Sequence, residues 1–340
     1  MKILIVGGGI AGLATAAFLR RRTSYQVELV ERGPLLSDAD DYGIAVASNG
    51  VALMRLLCDG EDLYQELQAK ELEQVVKLHH SIRMVKIDVK DGTAIDDVGR
   101  RWTEAHCAYM TTAPASFLNS RQSLRFLLEK GCLVNWFYDE PNVAKDDARR
   151  LQRKVVAYPL DDKGNHQIFG YLPTTDELLS RFESSENTQR RVSIANNVPA
   201  HEAVAAFEPF HKDLRDLLSC HPTTDLCLVR DSDPLPSWRA AKAILIGDAA
   251  HAAAPRLKLA PVTDAGQGSA QAFEDAETLS HFISHLGLEE ALDRFEQARK
   301  PRAHYVQSTG RVLNGCLSID GWNEHHYYTT IYTWRGCGKT

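Results

Sequence analysis

The feature that most constrains this chain is its opening, where the apolar run Ile3-Leu4-Ile5-Val6 passes directly into Gly7-Gly8-Gly9 and then Ile10-Ala11-Gly12. A short apolar run ended by glycines reads as a buried parallel strand over 2–6, and the pattern from Ile10 to about Arg21 reads as a helix. A second strand, Val27–Val30, ends at Glu31-Arg32 and is broken by Gly33-Pro34. Strand, helix and strand in this order predict a parallel pair with a right-handed crossover. In Gly7-x-Gly9-x-x-Gly12 the first glycine permits the tight turn. The second admits a pyrophosphate to the backbone, and the third lets helix and strand pack closely. The phosphates would meet the partly positive helix N-terminus. Glu31, with Arg32 beside it, stands where a carboxylate accepts hydrogen bonds from ribose hydroxyls. A nucleotide site is predicted, without a choice between NAD and FAD.

Composition narrows the partners. A chain of 340 residues has room for two cooperating domains. A net charge of -6 offers no basic field for nucleic acid. No apolar run approaches the roughly 20 residues that span a bilayer, and no signal-peptide core is recognised. The 7 cysteines are scattered without a C-x-x-C pair, which predicts reduced thiols in a cytoplasmic setting and neither a zinc site nor a disulfide framework. His79-His80 and His325-His326 are adjacent pairs that point to different faces rather than converging on a metal. No G-x-S-x-G elbow or Walker loop occurs.

Further along, Ser48 or Asn49 is expected to cap a short helix through Leu57. Residues 82–98 read as a hairpin turning at Asp91-Gly92, and Lys154–Tyr158 pairs with Gln167–Leu172 as another. Ser120 to Lys130 reads as a helix, followed by a strand near 132–138. Helical pattern at 200–219 is interrupted by Pro209, and Asp225–Arg230 reads as a strand. Ala243–Ile246 reads as a buried strand ending in Gly247-Asp248, and helices are expected over about 267–285 and 288–308.

The far end carries the second motif: Gly247-Asp248-Ala249-Ala250-His251, then Pro255, then Gly266-Gln267-Gly268, then Glu274-Asp275-Ala276. In these residues the chain resembles the FAD-dependent aromatic monooxygenases, the class of p-hydroxybenzoate and salicylate hydroxylases. The resemblance implies that Asp248 holds the flavin's ribityl chain. It also implies that the helix N-terminus at Gly266, Gly268 and Ser269 lies beside the pyrimidine end of the isoalloxazine. Small residues there let a positive helix end approach the charge of reduced flavin. Arg121 matches an arginine that reaches the FAD pyrophosphate, and Gly43-Ile44 matches a loop running past the flavin. Trp238 fits a family position that packing explains equally well. His251 is expected on the surface or behind the site, not as a general base.

The resemblance implies an α/β fold with a Rossmann-like FAD-binding domain (1–78, 112–150 and 240–310) and a parallel sheet. A smaller antiparallel-sheet substrate domain (79–111 and 151–239) and a C-terminal tail (311–340) complete it. It implies NADPH or NADH as co-substrate, and O2 activated as a flavin C4a-hydroperoxide that hydroxylates or epoxidises a small aromatic or polycyclic substrate. Two departures stand against the family pattern. Its Asp-Gly motif has no counterpart between the strand near 132–138 and Val155. Ten residues, Arg256 to Ala265, separate Pro255 from Gly266. The alternatives are a degenerate member without redox turnover, acting as a non-redox cyclase or binding protein, and another flavin oxidoreductase. No catalytic acid or base is singled out, and oligomeric state is open.

Overall fold

The computed structural model describes residues 1–33, 46–58, 74–79, 83–88, 94–95, 101–102, 132–137, 153–160, 165–172, 175–176, 180, 194–210, 212–228, 232–253, 267–313 and 330–337. Strand β1 (Lys2–Val6) runs parallel to β2 (Gln26–Val30), with Ile3 opposite Val27 and Ile5 opposite Leu29. Helix α1 (Ile10–Arg22) connects them, as expected for a parallel pair.

The expectation of a wholly buried β1 is corrected. Ile3 and Ile5 face a core shared with Val27 and Leu29, while Leu4 and Val6 on the opposite face remain 57% and 80% exposed. Alternate side chains leave a strand on opposite faces, and the described helices cover only one of them.

Helix α2 (Ser48–Met54) follows, continued by a 3-10 turn at Arg55–Leu57. Its cap is Ala47, not Ser48 or Asn49, and no side chain bonds to the first turn. Asn49 cannot serve there because its amide is turned into the interior, toward Glu274 and Gln267.

A seven-stranded sheet occupies the middle of the chain, in the order β6-β5-β4-β3-β7-β8-β9. Its members are β3 (Gln74–His79), β4 (Arg83–Asp88), β5 (Ala94–Ile95), β6 (Arg101–Trp102), β7 (Cys132–Phe137), β8 (Lys154–Pro159) and β9 (His166–Tyr171). Both expected hairpins lie in it, and β3 with β7 is the one parallel pairing among its described strands. β8 is buried along its whole length, including Lys154, whose ammonium sits 4.5 Å over the Tyr171 ring.

Strand β10 (Ile194–Pro199) pairs antiparallel with β11 (Thr223–Cys227), and the helical region between them is split into α3 (Ala200–Ala205) and α4 (Lys212–Leu218). The strand expected at Asp225–Arg230 therefore begins and ends earlier, because pairing of Pro199 with Thr223 fixes its start. The buried strand expected over Ala243–Ile246 is also corrected. Here β12 (Arg239–Ala240) and β13 (Ala243–Ile244) form a short antiparallel hairpin, turned by Ala241 at φ +50°. Only Ile244 and Ile246 of this run reach the core.

Among the described residues three further helices follow: α5 (Asp248–His251), α6 (Gln267–His285) and α7 (Leu288–Leu313). Ala14 and Phe18 of α1 pack against Ala276 of α6. Ile283, Leu292 and Phe295 complete the core beneath Ile5 and Leu19. The helix expected over 120–130 lies outside the described residues.

The glycine turn at the head of α1 is set by close approach. Gly7 adopts φ +107°, and a Cβ at Gly12 would stand 2.0 Å from the Gly7 carbonyl oxygen. Around Gly268 the same construction meets nothing within 4 Å. Gly12→Ala is expected to lower stability by about 1–3 kcal/mol through overpacking. Gly268→Ala should hold or raise it, since alanine is the better helix former. Thermal melts followed by circular dichroism check both, and an unaltered melt for Gly12→Ala would contradict the packing.

Candidate functional site

At the early end of the site, Gly9 caps α1 and is exposed, and a Cβ there would meet nothing within 4 Å. The backbone in front of the helix is thus open to a ligand, as a pyrophosphate requires. Glu31 turns back onto this loop. It accepts from the Gly8 N–H at 2.6 Å, and from the Arg32 and Gly33 N–H groups at 2.6 and 3.0 Å. Those three backbone donors, led by Gly8, hold the exposed carboxylate below its ordinary pKa. The carboxylate therefore sits at the mouth of the glycine turn, the place a ribose beside the pyrophosphate would occupy.

The late motif arrives at the same place. Gly247 adopts φ +58°, and a Cβ on it would stand 2.7 Å from the Ala11 Cβ. The turn before Asp248 is therefore pressed against the first turn of α1, and Asp248 projects exposed from the start of α5. Two turns more than two hundred residues apart in sequence meet around α1.

What holds the second turn is a buried carboxylate. Asp275 Oδ2 accepts from the Gly247 N–H at 2.8 Å and lies 2.7 Å from His251 Nε2, gripping both ends of the turn. Its other oxygen accepts from Arg299 Nε at 2.8 Å. Burial pushes the Asp275 carboxyl up, but the His251 and Arg299 charges and the hydrogen bonds outweigh it and leave a pKa of about 2. His251 is buried, as an expectation of a group behind the site allows and a surface position does not. Its imidazole also stacks near Trp238, with ring centroids 5.3 Å apart, so Trp238 is a packing residue under the turn.

Glu274, the neighbour of Asp275, is fully buried as well. It accepts from Arg299 Nη1, from Arg302 Nε at 2.5 Å and Nη2 at 2.7 Å, and from Asn49 Nδ2 at 2.8 Å. Arg299 spends its remaining nitrogen on the Gln271 side chain at 2.7 Å. Asn49 in turn faces Gln267, the first residue of α6, with amide contacts of 3.3 and 3.4 Å. Gly268 and Ser269 follow on that first turn, and Gly268 is exposed.

Of the residues singled out from the sequence, Gly7, Gly9, Gly12, Glu31 and Arg32 gather at one turn, and Gly247, which precedes Asp248, approaches Ala11 on the helix that follows it. Gly268 and Ser269 open α6. Gly43, Arg121 and Gly266 lie outside the described residues, as do 256–265. Sequence reasoning missed Asn49, Gln271, Arg299 and Arg302. A signal was present: acids at 274, 275 and 277 on a helix that also carries Ala270, Ala272 and Ala276 call for cationic partners where they are buried.

Because the folded pKa of Asp275 is depressed below its ordinary 3.8, its contribution to stability is full above that value and is lost as pH falls toward about 2. Asp275→Asn should be less stable than the parent at neutral pH. The gap should narrow by about 1 kcal/mol between pH 5 and pH 3, and further toward pH 2. Urea unfolding at stepped pH checks this, and a gap that widens on acidification would contradict it.

The sequence model of the NAD(P)-binding Rossmann-like domain family matches residues 5–48. The chain is 32% identical over 368 residues to the 3-amino-4-hydroxybenzoate 2-monooxygenase PtnB3 of Streptomyces platensis, covering 91% of this chain and 87% of that protein. It is 24% identical to the 6-hydroxynicotinate 3-monooxygenase of Bordetella bronchiseptica (strain ATCC BAA-588 / NCTC 13252 / RB50), covering 90% and 89% of the two chains. Its fold is similar to that of 2,6-dihydroxypyridine-3-hydroxylase from Arthrobacter nicotinovorans, at a TM-score of 0.63 and 15% identity over 95% of each chain. With its glycine turn, its Gly-Asp turn and this extent of identity, the chain belongs to the FAD-dependent aromatic monooxygenase family.

Proposed function

We propose that this chain holds FAD across the junction of its two turns, takes electrons from NADPH or NADH, and inserts one atom of O2 into a small aromatic or polycyclic substrate. The observation that carries the reading is the approach of Gly247 to Ala11, which sets Asp248 beside the glycine turn. In this arrangement Gly7, Gly9 and Gly12 admit the pyrophosphate to the backbone of α1, and Glu31 accepts from the ribose hydroxyls. Asp248 accepts from the ribityl hydroxyls. Gly268 and Ser269 present the α6 N-terminus to the pyrimidine end, and the family resemblance alone assigns Gly266, Gly43 and Arg121, which lie outside the described residues, to the cofactor as well.

Bound FAD supplies the chemistry, accepting hydride from the nicotinamide and activating O2. The protein's part is position, field and exclusion of water. In this reading residues 1–78, 112–150 and 240–310 form the cofactor domain and 79–111 with 151–239 cover the substrate, with the seven-stranded sheet shared between the two. The partner is a small molecule, not nucleic acid, and the setting is cytoplasmic. Among the described residues no helix is long and apolar enough to cross a membrane.

A second reading has one observation behind it: the family's Asp-Gly segment has no counterpart between residues 138 and 155. A member lacking it would bind its ligand without redox turnover.

The purified protein mixed with FAD should show the absorbance bands of bound oxidised flavin. NADPH or NADH added without air should bleach them, and with substrate the enzyme should consume O2. Flavin bands that resist both nicotinamides would favour the second reading. Glu31→Ala should weaken FAD binding roughly tenfold, the effect of one charge-assisted hydrogen bond lost, as read from quenching of flavin fluorescence.

A further inference from the structure

Residues 330–337 lie along α6 and α7 and make contacts of several kinds. Ile331 is fully buried, and the Arg302 guanidinium stands 4.9 Å over the Trp334 ring. Arg302 donates from Nη1 to the Thr330 carbonyl at 2.8 Å and from Nη2 to the Ile331 carbonyl at 2.7 Å. Farther along, Gly336 at φ +105° turns the chain so that the Cys337 N–H reaches Glu277 Oε2 at 3.1 Å. Ser48, the first residue of α2, donates to the Tyr332 carbonyl at 3.5 Å.

The same Arg302 guanidinium binds Glu274 with two nitrogens, and Glu274 Oε1 is shared with Asn49. A carboxylate has about four acceptor sites, and here Arg299, Arg302 twice and Asn49 fill them. Asn49 leads on to Gln267 at the N-terminus of α6. An unbroken series of hydrogen bonds therefore joins the C-terminal segment to the turn that carries Gly268 and Ser269.

We propose that residues 330–337 are a strap that sets the α6 N-terminal turn against the bound cofactor, with Arg302 as the positioning residue that transmits it. This rests on the FAD reading above. The physical reason lies in where a loss would fall. Without Arg302, two acceptor sites of a fully buried carboxylate lose their donors. Asn49 already donates to Glu274 Oε1, so its amide is placed to shift toward them, and that shift draws on its long contacts with Gln267. The middle of α6 is packed and the Arg299 pair persists, so the helix N-terminus moves first. Lysine could supply a charge to Glu274 but not the planar fork that also serves two carbonyls and lies over Trp334.

The test uses the whole 340-residue chain with Arg302→Gln, Trp334→Ala and the double variant. Each is titrated with FAD by fluorescence quenching and melted without FAD. Each single variant should weaken FAD binding about tenfold, the scale seen when an outer partner that orients a binding group is lost. The double variant should be no weaker than the worse single one, because both act through one path. At saturating FAD the visible circular dichroism of the flavin should change, since its pyrimidine end meets a shifted helix terminus. If Arg302→Gln does not fold, Trp334→Ala alone carries the test, as its ring is only half-buried. Lowered melting with FAD affinity and flavin spectrum unchanged would reduce the strap to a structural clamp and overturn the inference. So would additive effects of the two substitutions. A parent protein that binds no FAD would sink the functional reading and this inference together, whereas a parent that binds and variants that bind equally well would sink this one alone.

Discussion

The structure depends on one buried carboxylate. Asp275 is fully buried and still ionised, because it accepts from a backbone N–H, faces an imidazole and accepts from a guanidinium at once. Each bond ties a different element to α6: the turn at Gly247, helix α5 through His251, and helix α7 through Arg299. The Gly247 turn is what meets α1, so the relation between the two nucleotide-binding turns is fixed from behind by Asp275. A neutral side chain of the same size could make some of these bonds, but it would leave Arg299 buried with one fewer counter-charge. Breaking a buried pair by removing one partner costs several kcal/mol, far more than the pair itself contributes.

That dependence explains which parts of the molecule could be read from residues alone. The β1-α1-β2 unit was legible because glycine spacing, apolar run and acid all state the same requirement, and Gly12 has steric room for nothing larger. The hairpin from β8 to β9 was legible from its alternation and its turn residues. The Glu274-Asp275 pair could be recognised as a motif without its role being readable. Its partners Arg299 and Arg302 sit more than twenty residues away on another helix, and an arginine in such a helix looks the same in sequence whether it is solvated or buried. The error at Ala243–Ile246 has a related cause. An apolar run of four is consistent with a central strand, and only the left-handed turn at Ala241 makes it a hairpin instead.

The strand readings also show the limits of burial inferred from apolarity. Ile3, Leu4, Ile5 and Val6 are equally apolar, yet Ile5 is 6% exposed and Val6 80%. What separates them is the period of two, which sends Ile3 and Ile5 toward α6 and α7 and the others away. Asn49 illustrates the converse. As a polar residue at a helix start it looks like a cap, but an amide with both donor and acceptor is also suited to bridge a carboxylate and a second amide in the interior.

The arginines are required for electrostatic reasons beyond the fold. The α6 N-terminus can favour negative charge on a ligand by about 0.3–1 kcal/mol, up to about 2 in buried geometry. Glu274 and Asp275 lie seven and eight residues along the same helix, roughly 10 Å from that end at 1.5 Å per residue. An uncompensated carboxylate at that distance would oppose a ligand's negative charge by about 1.7 kcal/mol at an effective dielectric constant of 20. Two of them would cancel the helix end and reverse its sign. Arg299, bonded to both acids, and Arg302, bonded to Glu274, offset this charge within the helix packing. The buried acids can thus anchor the Gly247 turn without spoiling the field that the turn at Gln267, Gly268 and Ser269 offers to an anionic group. Anchoring and field are two demands on one short stretch of helix, and only a paired network meets both.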